Sequence, residues 1–122
     1  MKILFLFAVL LVLTLNVNSQ ERIKFGKGES SATVEGGIAR GESYYYLVKA
    51  SRDQWMVVTI MSVEDNAVFQ IINKKTGDYL LGAEDGTDIK RWEGYLPSTG
   101  DYKIVVGSMR GGSEYTLKVT IE

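Results

Sequence analysis

The feature that most constrains this chain is its punctuation. Seven turn-forming clusters, "ARGES", "SRDQ", "VEDN", "KKTGD", "AEDGTD", "LPSTGD" and "MRGGSE", cut the sequence into short pieces. Each is rich in residues that accept or favour turn geometry. Between them no segment sustains a helical period; the pieces alternate, or carry β-branched and aromatic side chains, as short strands do. Strands are predicted over 22–25, 32–39, 44–50, 55–61, 67–73, 79–82, 90–96, 102–108 and 115–121. Strands of this length at this spacing predict an all-β fold, a single antiparallel β-sandwich of jelly-roll-like character with about eight or nine strands.

Alternation also assigns faces, because successive side chains of a strand point to opposite sides of the sheet. Met56, Val58 and Ile60 share one face, with Trp55, Val57 and Thr59 on the other. Tyr102, Ile104 and Val106 form a second inward row, and Tyr115, Leu117, Val119 and Ile121 a third, while Trp55 is expected outside the core. The run "YYYLVKA" puts Tyr44 and Tyr46 on one face and Tyr45 on the other, so the three tyrosines cannot all have one role. Gly36-Gly37, inside a predicted strand, is read as a bend between sheets, with close approach of backbone as the alternative.

Residues 1–19, "MKILFLFAVLLVLTLNVNS", read as a secretory signal: Lys2, an apolar run of 13 residues over 3–15, then Val17 and Ser19 before the expected cleavage. That run is shorter than the roughly 20 residues of a spanning helix, so no membrane span is expected after cleavage. A periplasmic or secreted single domain over 20–122 follows. It contains no cysteine, so a continuous apolar core has to replace the disulfides on which many small exported domains depend.

Without Lys2, 13 Lys and Arg stand against 15 Asp and Glu, interspersed along the chain. No basic stripe is present for a phosphate backbone, which argues against nucleic acid. The absence of histidine and cysteine removes the usual general base at neutral pH, the thiol nucleophile and the best zinc ligands. Glu84, Asp85 and Asp88 gather around Gly86, but their spacing does not match an EF-hand loop, and a solvated turn is expected there. The reading is a non-enzymatic chain without metal or cofactor.

What remains is recognition. The loop 108–113 offers Met109 and Arg110, groups favoured at interface hot spots, and Arg110 stands in a glycine-flanked hairpin where nothing about folding asks for it. Tyr45, Trp55 and Trp92 join them as candidate contacts, and Trp55, Trp92 and Tyr95 are candidates for stacking on sugar rings.

Several stretches resemble the bacterial periplasmic inhibitors of goose-type (g-type) lysozyme, which share their fold with pre-peptidase C-terminal domains. They are "RIKFGKGESSATVEGGIARGESYYYLVKA", "QWMVV", "WEGYLPSTGDYKIVV", "MR" and "EYTLKVTIE", nearly the whole chain after residue 19. The resemblance implies a compact sandwich that presents loops to the substrate cleft of goose-type lysozyme. The arginine role falls on Arg110, beside Met109, and the tyrosine role on the 44–46 run. The loop here closes quickly, as "MRGGSEY", with Arg110 as its one arginine. The alternative is an envelope carbohydrate-binding or adhesion-assisting module working through Trp55, Trp92 and Tyr95.

Overall fold

The structure is a computed structural model that describes residues 20–122; the expected signal, 1–19, lies outside the described residues. The described residues form eight strands: β1 Gln20–Arg22, β2 Ser31–Ile38, β3 Tyr44–Ala50, β4 Trp55–Ser62, β5 Ala67–Asn73, β6 Arg91–Tyr95, β7 Gly100–Ser108 and β8 Ser113–Ile121. They make two four-stranded sheets, ordered β1-β3-β7-β5 and β2-β8-β4-β6. From β2 to β8 consecutive strands alternate between the sheets, the winding of a jelly roll.

The core is built from the rows that alternation assigns. Tyr46 and Val48 of β3, Phe69 and Ile71 of β5, and Tyr102, Ile104 and Val106 of β7 face Met56, Val58 and Ile60 of β4 and Tyr115, Leu117 and Val119 of β8, all of them buried. Each fully buried aliphatic side chain contributes about 1.5–3 kcal/mol relative to exposure, and this continuous layer takes the place of cross-links. Tyr102 buries its ring completely and spends its hydroxyl on the preceding turn, donating to the Ser98 carbonyl at 2.6 Å.

Three details differ from the sequence expectation. The first strand begins at Gln20 and pairs parallel to β3, whereas the other pairings between described strands are antiparallel. Its edge is tied down by Arg22, which donates to both carboxylate oxygens of Asp101 at 2.9 and 2.8 Å. Residues 79–82 do not form a strand. Tyr79 makes one bridge to Ile72, and Gly82, at φ 89°, turns the chain away, leaving Leu80 buried and Leu81 exposed.

The third difference is the glycine pair. The β2–β8 ladder runs unbroken through Gly36, opposite Tyr115, and Gly37, opposite Glu114, so there is no bend here. Gly36 is instead a close approach. A Cβ on it would lie 2.5 Å from the Tyr115 hydroxyl oxygen and 3.0 Å from that of Tyr46. Those two hydroxyls are hydrogen-bonded to each other at 2.7 Å inside the sandwich. Burial raises both tyrosines above the usual pKa, and the shared hydrogen bond raises Tyr46 further, so the pair stays neutral.

A Cβ at Gly37 meets nothing closer than 3.7 Å. Gly36→Ala is therefore expected to force the tyrosine pair apart and cost about 1–3 kcal/mol, whereas Gly37→Ala is expected to be neutral or slightly stabilising, because glycine is a poor strand residue. Thermal melting of the two variants tests this: at about 4–8 °C per kcal/mol, Gly36→Ala should melt clearly below the parent, and Gly37→Ala should not.

Candidate functional site

Strand register brings the loop between β7 and β8 to the same end of the sandwich as the start of β3. Tyr44 opens β3 opposite Val106, two residues before β7 ends at Ser108, and β8 resumes at Ser113 opposite Ile38. The turn from β4 to β5, residues 63–66, completes this end, since Ala67 pairs with Ser108.

The loop is held by a residue that the sequence reading treats only as part of a turn. Asn66 is buried, and its amide nitrogen donates to the carbonyls of Arg110 and Gly112, both at 2.8 Å. The Asn66 carbonyl accepts from the Met109 N–H at 2.9 Å, and the Ser108 hydroxyl donates to the Arg110 carbonyl at 2.8 Å. Asn66 is itself fixed by Ser62, whose hydroxyl oxygen accepts from the N–H groups of Asn66 and Ala67 at 3.0 Å each. Gly111 completes the turn at φ 60°, in the left-handed region that a side chain disfavours.

Arg110 stays exposed on this clamped loop, with one guanidinium nitrogen donating to the Glu64 carbonyl at 2.7 Å. That bond uses one of the five N–H donors of a guanidinium. It restrains the side chain while leaving donors for a planar acceptor such as a carboxylate. Met109, 42% exposed, stands next to it.

The tyrosines divide as alternation requires. Tyr44 and Tyr46 share a face with ring centres 5.0 Å apart; Tyr44 is half-buried and donates to a Glu21 carboxylate oxygen at 3.3 Å. Tyr46, 2% exposed, belongs to the core, and its burial corrects the expectation that it could touch a partner. Tyr45 lies on the outer face of its sheet, with the Lys103 ammonium 4.0 Å from its ring centre, a cation–π contact worth about 0.5–1 kcal/mol at an exposed site.

The three residues considered for sugar stacking do not form one platform. Trp55 and Tyr95 are cross-strand neighbours packed edge to face, ring centres 4.7 Å apart. Trp92 pairs with Val58 on the core side and donates its indole N–H to the Leu81 carbonyl at 2.9 Å. Trp55 also lies seven residues along β4 from Ser62, about 23 Å at 3.3 Å per residue, away from the Arg110 loop.

No protein-family model and no curated protein sequence matches the chain. Solved structures do match. A periplasmic inhibitor of g-type lysozyme from Aeromonas hydrophila, PliG, superposes with a TM-score of 0.72 at 28% identity, covering 84% of this chain and 96% of that one. The fold is that of the periplasmic g-type lysozyme inhibitors. Salmonella Typhimurium PliG gives a TM-score of 0.69 at 21% identity over 87% of this chain and 100% of its own. The pre-peptidase C-terminal domain of a Bacillus anthracis collagenase gives 0.66 at 14% identity, covering 86% and 98% of the two chains. Both groups are those that the sequence resemblance names. The PliG proteins are inhibitors, in agreement with a non-enzymatic reading of a chain without histidine or cysteine.

The clamp on the loop makes its own expectation. Asn66→Ala removes two part-buried hydrogen bonds and leaves the Gly112 carbonyl without its donor, while the Arg110 carbonyl keeps the Ser108 hydroxyl, at a cost of about 1–3 kcal/mol; Asn66→Asp, which replaces the donor by an acceptor facing the same carbonyls, should cost more. Denaturant unfolding gives the order, and amide exchange should rise first in residues 109–112.

Proposed function

We propose that the chain is an exported, non-enzymatic inhibitor of goose-type lysozyme that occludes the enzyme's substrate cleft with the loop carrying Arg110. The observation that carries the proposal is the match to the Aeromonas inhibitor over 84% of this chain and 96% of the other. The geometry of the Arg110 loop supports it. A cleft that binds and cuts a glycan uses carboxylates, and the partner such a cleft accepts is a cation held in place before binding.

Arg110 meets that requirement. Asn66 and Ser108 fix the backbone beneath it, and the Glu64 carbonyl restrains the guanidinium, so little conformational entropy is left to lose on binding. Met109 and half-buried Tyr44 at the same end supply apolar area around the charge. Periplasmic residence of the relatives and the signal-like residues 1–19 support export.

The test is lysis of peptidoglycan by goose-type and hen-type lysozymes, each titrated with the purified chain 20–122. Stoichiometric loss of goose-type activity alone is the expected result. Arg110→Ala should then raise the inhibition constant about 30-fold or more, the size of an interface hot spot, with Arg110→Lys recovering part of the loss. Unchanged activity of both enzymes would overturn the proposal.

A further inference from the structure

A shallow depression crosses the outer face of the β2-β8-β4 side of the sandwich, beginning where Arg110 is anchored. Two rows of the ladder define it: Glu35, Thr116 and Met61 in register across three strands, then Gly37 beside Glu114, with Val63 just beyond β4. Its floor is low because Gly37 presents no side chain. The depression continues past Val63 to Glu64, the residue whose carbonyl receives Arg110. Its larger part measures about 690 Å³, room for several side chains of a partner and far more than an ion needs.

Two properties meet on this surface. Val63 is 92% and Met61 74% exposed, side by side, on a chain whose other large apolar groups are mostly in the core. Around them stand the carboxylates of Glu35, Glu64 and Glu114, none of which forms an ion pair or a side-chain hydrogen bond among the described residues, and no Lys or Arg lines the depression. Some exposed carboxylates elsewhere do find cations, as Asp65 finds Lys90 and Glu93 finds Arg91. Apolar side chains beside carboxylates that hold no ion pair are complementary to a surface of apolar and cationic groups.

We infer that this face is a second half of the binding surface, docking a Lys- or Arg-bearing, partly apolar segment of the protein whose cleft receives Arg110. The inference rests on the inhibitor reading and deepens it. The two halves carry opposite sign: Arg110 is offered to carboxylates, and Glu35, Glu64 and Glu114 to cations. Met61 and Val63 bury their apolar surface between them. Opposite charges set next to each other fix the orientation of docking as well as its strength, because a reversed approach places like charges together.

Binding of goose-type lysozyme to the immobilised chain 20–122, followed by surface plasmon resonance at several salt concentrations, tests this. Glu35→Gln combined with Glu114→Gln should slow association about tenfold at low salt and flatten its salt dependence, the signature of lost steering charges. Val63→Ser should speed dissociation about tenfold through lost apolar contact. Glu93→Gln, farther along the same sheet, is the control and should change neither rate. All these positions are exposed, and near-ultraviolet circular dichroism checks that the variants keep the fold.

Parent-like rates in both the double glutamate variant and Val63→Ser would overturn the docking surface and leave the Arg110 reading standing. Failure of the parent chain itself to bind would overturn both.

Discussion

A single hydrogen bond between two buried tyrosines sets much of this structure. Tyr46 belongs to one sheet and Tyr115 to the other, and their hydroxyls meet at 2.7 Å beneath a glycine that leaves just enough room. Two large polar side chains can be buried here only because each hydroxyl satisfies the other. The bond fixes the spacing of the sheets at the end where β3 begins and β8 begins. Tyr44 packs on Tyr46, and Ser113, two residues before Tyr115, closes the loop that carries Arg110. The core and the candidate binding end therefore share one anchor.

Built on that anchor, the candidate binding end is preorganised. A short hairpin loop would ordinarily be among the most mobile parts of a sandwich, yet buried Asn66 holds two of its carbonyls and one of its N–H groups. A loop with one arginine has fewer contacts to offer than a longer one. Under the proposed function, rigidity offsets that by lowering the entropy lost on binding, and the inferred acidic and apolar docking face extends the area available. The Trp55–Tyr95 pair, half-buried Trp55 beside exposed Tyr95, sits at the other end and plays no part in this arrangement.

Much of the fold was legible in the sequence because period-two alternation with one buried face leaves a single consistent register. The rows from Met56, Tyr102 and Tyr115 are buried as alternation requires, and Tyr45 faces away from Tyr44 and Tyr46. Residues 79–82 misled because Tyr79, Leu80 and Leu81 have strand chemistry, while the local turn at Gly82 decides the outcome. Gly36 was read as a bend because its real partners, Tyr46 and Tyr115, come from two other strands. Asn66 carried no signal at all: its carbonyl partners lie 44 and 46 residues away, and asparagine in a turn is ordinary. Arg110 stands out in the sequence for the opposite reason, as a residue that the hairpin does not need, and its role in binding is the part that experiment has to test.

Occlusion of a cleft differs from binding elsewhere on an enzyme in one observable way, competition with the cleft's own ligand. The most direct measurement is the affinity of the chain for goose-type lysozyme with increasing amounts of a chitin oligosaccharide bound in the enzyme's cleft. The account expects the apparent dissociation constant to rise in proportion to oligosaccharide concentration, as mutually exclusive binding demands. An affinity unmoved by a saturating oligosaccharide would contradict it.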